Sequence, residues 1–203
     1  MKLLASLSLA AALAIIPSAA SATTLFTDGF QTTAPGLSST TAGNFSTTGG
    51  TNVDVLGPGT GNNYGYLCGA GFSQCVDLGG TGGNPIGQLV SNTTFSAGQY
   101  LLSFNLIGSG RSDGDSVEVV FGNYDTTFTL ANDDLTTGII TNQLVTVSGS
   151  STLSFLDRSN GNESLILNSA SVATTPEPSS LALLGSGLLT TLGVVARRRK
   201  QTA

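Results

Sequence analysis

Apolar residues recur at every second position through "GQYLLSFNLIG", which puts Tyr100, Leu102, Phe104 and Leu106 on one face of an extended chain and Leu101, Ser103 and Asn105 on the other. "DSVEVVFG" repeats the period, with Val117, Val119 and Phe121 on one side and Glu118 out of phase with them. "TTFTLA" carries it on through Phe128 and Leu130 to a turn signal at Asn132, Asp133 and Asp134. "NQLVTVSG" and "STLSFLD" follow, the second with Leu153 and Phe155 inward, and "SLILNSASV" supplies a last strand. Upstream, "TNVDVLG", "YGYLCG" and "QCVDLGG" predict shorter strands, and "NTTFSAG" predicts an edge leading into the long strand. The stretch from Gln31 to Gly50 has few apolar anchors and predicts a surface loop with at most one strand. About nine short strands separated by turn residues, without an amphipathic helix, predict an all-β fold, a single antiparallel β-sandwich or barrel.

Composition sharpens this picture. Of 203 residues only 9% are charged, while 27 are Gly, 25 Ser and 27 Thr, so the polar surface is built from hydroxyls, which suit strands and turns. The cations are concentrated at the ends. Between Thr23 and Thr175 only Arg111 and Arg158 stand against eleven carboxylates, a net charge of -9 that repels phosphate backbones and excludes nucleic acid as a partner.

The first 22 residues combine a cation at Lys2, an apolar run from Leu3 to Ile16, Pro17 and a small-residue cleavage signal at Ala20, Ser21 and Ala22. That pattern predicts a secretory signal helix handled by the Sec export machinery, with the mature chain starting near Thr23. Export in turn predicts a disulfide between Cys68 and Cys75, the only cysteines. A metal pair or a catalytic thiol is the rival, and the chain has no histidine to assist either.

After Val172 the composition shifts. Residues 174–180 contain Pro176, Glu177 and Pro178 among hydroxyl residues and read as an extended linker, so the β domain is placed at 23–173. Residues 181–196 carry no charge and predict a single hydrophobic helix of about 24 Å, short and glycine-rich against a bilayer core of about 30 Å. Residues 197–203 begin with Arg197, Arg198, Arg199 and Lys200, which by the positive-inside rule stay cytoplasmic and put the β domain across the inner membrane. A Pro-Glu-Pro segment, a short apolar helix and a basic end, in that order, resemble the PEP-CTERM sorting signal of Gram-negative bacteria that make extracellular polysaccharide. The resemblance covers about the last 28 residues. It implies recognition by an exosortase, a membrane-embedded transpeptidase cutting near Pro-Glu-Pro, with Glu177 in a recognition role. Localisation would then be periplasmic with a transient inner-membrane anchor, and afterwards the cell surface or exterior.

For the β domain itself the chemistry is sparse. Lacking histidine, the chain cannot assemble a Ser-His-Asp or Cys-His nucleophile system or supply imidazole to a metal. Glu118 or Glu163 with an aspartate leaves a glycosidase-type carboxylate pair formally open. Asp113 and Asp115, with Gly114 between them, have a spacing that serves either a turn or a calcium ion; no other cofactor is expected. More loosely, "VDLGG" at Val76–Gly80, "TFSAGQYLLSFNL" and "LILNSASV" resemble carbohydrate-binding-like jelly rolls, with Asn168 and Ser169 where such domains carry Asp-Asn. With no Trp, the stacking candidates are Tyr64, Tyr66, Tyr100 and Tyr124, and Tyr100 is in the inward set. The expectation is a non-enzymatic exported surface or matrix protein; the alternative is a module attaching to exopolysaccharide, and the third reading is a glycosidase-like enzyme.

Overall fold

The computed structural model describes residues 21–58, 64–82, 87–111, 114–159 and 162–176. The expected signal helix, the hydrophobic helix at 181–196 and the basic cluster Arg197–Lys200 lie outside the described residues, as do Ala20, Asp113, Glu177 and Pro178. Ala22–Thr175 form one compact unit.

The unit is all-β. Its strands are β1 (Thr24–Asp28), β2 (Gly36–Ser39), β3 (Thr41–Ala42), β4 (Phe45–Thr47), β5 (Val53–Leu56), β6 (Cys75–Asp77), β7 (Gln88–Ser91), β8 (Gly98–Ile107), β9 (Asp115–Phe121), β10 (Tyr124–Leu130), β11 (Ile139–Val147), β12 (Ser154–Asp157) and β13 (Ile166–Thr174). One antiparallel sheet has the order β11-β8-β13-β6-β5-β2, with β1 also pairing β13; the other runs β10-β9-β12-β7-β4-β3. The chain crosses repeatedly between the sheets, so each buries its alternating apolar face against the other.

Those faces are the ones the alternation marks. Tyr100, Leu102, Phe104 and Leu106 from β8 and Val117, Val119 and Phe121 from β9 are all buried in one core with Leu153 and Phe155. Aromatic rings join the two sheets edge to face: Phe104 meets Phe155 at 5.6 Å, and Phe45 meets Phe26 at 5.2 Å.

A second apolar cluster lies beside the first. Leu56, Leu67, Cys75, Ile107 and Ile166 pack together with Tyr64 and Cys68, so the chain around the cysteines covers a patch of the first sheet. A bulge in β13 makes this possible: its register against β8 shifts between Leu167 and Ser169, leaving Ile166 in the small cluster while Leu167, Ala170 and Val172 face the main core. Asn168 sits at that irregularity, fully buried. Its Oδ1 accepts from the Gly69 amide at 3.0 Å and its Nδ2 donates to Asn105 Oδ1 at 2.9 Å, which ties the cysteine loop to the sheet.

Three expectations fail, and two strands were not foreseen. Gln31–Gly50 holds three strands rather than at most one, because its few apolar residues find partners elsewhere in the chain: Ala42 and Phe45 are fully buried, Phe45 against Phe26 and Phe155, and the Asn44 amide bonds the carboxylate of Asp28. At Gly43 (φ 58°) an added Cβ would lie 2.2 Å from that carboxylate, so only glycine turns this hairpin. "YGYLCG" forms a 3₁₀ helix at Tyr64–Leu67 rather than a strand, since the chain must turn back to bring Cys68 to Cys75. "NTTFSAG" contributes a single bridge, Phe95 to Ser151, instead of an edge strand; its Phe95 ring turns into the core. β1 and β7 had no counterpart in the alternation, each being four or five residues with mixed polarity.

Candidate functional site

The last strand ends where the linker begins, and it ends beside the start of the mature chain. Thr174 pairs with Tyr100 of β8, its amide donates to the Thr23 carbonyl at 2.9 Å, and the Thr23 amide donates to Thr174 Oγ1 at 3.1 Å. Ala22, on the predicted signal cleavage side, and Pro176, the first proline of the sorting segment, are both exposed. Both prospective processing points therefore leave the folded unit from one pair of neighbouring strands, β1 and β13, and neither draws on the core.

Cys68 and Cys75 have their sulfurs at bonding distance and their Cα atoms 5.5 Å apart. Closing so short a loop constrains the unfolded chain. Replacing both cysteines with serine is expected to cost about 2.5 kcal/mol in urea unfolding, and an unchanged midpoint would show that the pair adds nothing.

The ionisable groups are unevenly satisfied. Glu118, on the face of β9 opposite Val117 and Val119, accepts from Arg158 Nε at 2.9 Å, and Glu163 is half-buried on the loop before β13. Arg111 forms an ion pair with Asp77, whose side chain is 1% exposed. Burial pushes the Asp77 carboxyl up to about 8, outweighing the pull of Arg111 and of the Gly79 amide. The unfolded carboxyl gives up its proton near pH 4, so the folded state holds one proton more between there and pH 8 and loses stability as the pH rises. With no histidine in the chain to titrate in this window, urea unfolding between pH 5 and 8 is expected to show stability falling by about 1.4 kcal/mol per pH unit from this group. Asp77→Asn should flatten that slope, and a wild-type stability that is flat or rises over the range would contradict the assignment.

Of the tyrosines, Tyr100 is buried and its hydroxyl donates to the Ser96 carbonyl at 2.9 Å; Tyr64 and Tyr124 are half-buried. Tyr66 is 73% exposed, beside a shallow groove with Leu135, Ile107, Asn132 and Ser109. Leu135, 58% exposed, was not marked by the sequence pattern because it sits in the β10–β11 connection, outside any alternating run.

Asp115 opens β9 with its side chain buried, and Ser109 Oγ donates to its Oδ2 at 3.2 Å. Its expected companion Asp113 is outside the described residues. The carboxylate brought near it is one the sequence reading left out, Asp157 at the end of β12. The alternation of "STLSFLD" held the signal, since Asp157 continues the inward phase of Leu153 and Phe155.

No curated protein matches this chain. The model of the PEP-CTERM protein-sorting motif matches residues 174–200. That span starts at the last residue of β13 and contains Pro176, Glu177, Pro178, the uncharged run and the basic cluster. The chain therefore carries a PEP-CTERM protein-sorting motif directly behind its β unit, the mark of export and of membrane-anchored sorting by an exosortase.

Proposed function

We propose that this is a non-enzymatic surface or extracellular-matrix protein, held briefly in the inner membrane with its β unit in the periplasm and then released by exosortase cutting near Pro176-Glu177-Pro178. The observation that carries the reading is the position of the motif: it follows β13 with no intervening segment, so a cut there severs no pairing and leaves the sandwich whole. The sandwich is read as jelly-roll-like, in keeping with a chain that passes from sheet to sheet at most of its connections. Deleting the host's exosortase gene tests the proposal. The protein should then accumulate in the inner-membrane fraction, and undiminished release into the medium would refute it.

A second reading, a module that attaches to exopolysaccharide, is favoured by Tyr66, a largely exposed ring beside a groove lined also by Leu135. Saturable retention of the released protein on the host's own polysaccharide, lost in Tyr66→Ala, would favour the module over a purely structural role. A glycosidase-like activity draws the least support, since Glu118 is held in an ion pair with Arg158.

A further inference from the structure

The last strand of an open sheet shows water a row of main-chain groups that a further strand can take up, and proteins ordinarily blunt such edges. Here β1, β2 and β3 are blunted by length, with five, four and two residues. The nine-residue edge of β11 is closed by side chains. Asn123, in the β9–β10 turn, donates its amide to the Thr146 carbonyl at 3.0 Å and accepts the Thr146 amide on Oδ1 at 2.7 Å, while Gln143 Nε2 donates to the Leu144 carbonyl at 3.1 Å. The seven-residue edge of β10 has neither device. Its two-residue turn makes Phe121 and Tyr124 a hydrogen-bonded pair, so Tyr124, Thr126 and Phe128 turn their main-chain groups to β9 and Asp125, Thr127 and Thr129 turn theirs outward. The Arg158 amide, donating to the Ser116 carbonyl at 2.8 Å, fixes the same phase from the far side of β9. Among the described residues nothing meets the outward groups of Asp125, Thr127 and Thr129.

We propose that β10 is the pairing edge for a second copy of this chain, the two strands running antiparallel about a two-fold axis through Thr127, so that the second sheet continues from one unit into the other. The strand is complementary to itself in that register. Asp125 of each copy lies opposite Thr129 of the other, a carboxylate facing a hydroxyl, and all three outward residues find partners, each pair exchanging two main-chain bonds. An axis through Asp125 would instead set two carboxylates face to face. On the inner side Tyr124 lies opposite Leu130 and Thr126 opposite Phe128. The half-buried rings of Tyr124 and Phe128, which pack against Phe104 at 6.4 and 5.6 Å, are thereby covered on their open side. The contact is small beside the roughly 1,200 Å² of a stable interface, so the pairing is weak and reversible, with a dissociation constant of about 100 µM. This goes beyond the sorting reading and stands or falls separately from it.

The test is sedimentation of the full chain in density-matched mild detergent at about 10 to 500 µM, a range that brackets the expected constant. The wild type should pass from monomer to dimer across it. Thr129 is exposed, so its side chain can be changed without touching the core. Thr129→Lys sets an ammonium opposite Asp125 in both symmetric pairs and should tighten the dimer about fivefold, whereas Thr129→Asp sets like charges there and should weaken it about tenfold. Thr127→Pro removes an outward N–H that β9 does not use and should abolish the dimer while the melting temperature shows the unit still folded. Should that variant fail to fold, the two Thr129 variants still decide. A wild type that stays monomeric throughout would overturn the proposal. A dimer indifferent to both Thr129 substitutions would overturn it equally, by placing the contact on another face or on the apolar tail.

Discussion

Glu177→Ala is expected to leave the β unit folded and trapped with the inner membrane, with most of the protein lost from the exterior. Fractionation of the host into membrane, periplasm and medium, probed with an antibody to the β unit, reads this directly. The physical basis is a division of labour along the tail. In the sorting route proposed above, the uncharged run at 181–196 is assigned the hold on the bilayer and the cations from Arg197 to Lys200 its orientation, and neither assignment draws on Glu177. Between Pro176 and Pro178, whose rings restrict the backbone, Glu177 is the one charge a transpeptidase can read on an extended segment. The last strand of the β unit ends at Thr174, ahead of Pro176 and Glu177. Normal release of the variant would remove Glu177 from the recognition role, and an unfolded or degraded β unit would show that the segment has a structural one.

The largest effect on stability is expected at Phe45. Its ring is fully buried and touches three others, Phe26 at 5.2 Å and Phe30 and Phe155 at 6.0 Å each, so it holds β4 and β1 against the second sheet's centre. Phe45→Ala should lower stability by about 4 kcal/mol, the sum of lost transfer energy and the cavity left behind. For a folded unit of this size that corresponds to a fall of about 10 °C in melting temperature, a large part of the total stability of an ordinary domain. Phe128, half-buried on β10 with one ring contact to Phe104, should cost far less when truncated. Urea unfolding followed by circular dichroism compares the two, and equal losses would mean that the hairpin carrying Phe45 is not anchored as described. The comparison probes the part of the fold that the hydrophobic pattern hid, since Phe45 stands in a Gly- and Thr-rich stretch that reads as a loop.

Legibility varied along the chain for a definite reason. From Gly98 to Thr174 the strands are long, five of them having seven to ten residues, and these alternate over enough positions for an inward face to be read without knowing the partner. From Thr24 to Ser91 the strands have two to five residues, too short for a period to show. There the anchoring is remote: the Asp28 carboxylate holds the Asn44 turn, and the Asp54 carboxylate holds the amides of Ser38 at 2.7 Å and Thr81 at 3.0 Å. Such bonds leave no local pattern. Asn168 is a further case, since its value lies in reaching Gly69 and Asn105, 99 and 63 residues away.

By itself, then, the sequence determined an all-β unit, the inward residues of its longer strands and the Pro-Glu-Pro, uncharged and basic segments behind Thr174. Alternation, residue type and order along the chain are local quantities, and these features need nothing else. Tertiary structure alone decided which groups the buried carboxylates meet. Asp157 continues the inward phase of Leu153 and Phe155, but the order along the chain does not say which donors or cations each aspartate finds. Strand pairing takes the buried aspartates out of water, and the two guanidiniums of the β unit pair with Asp77 and Glu118.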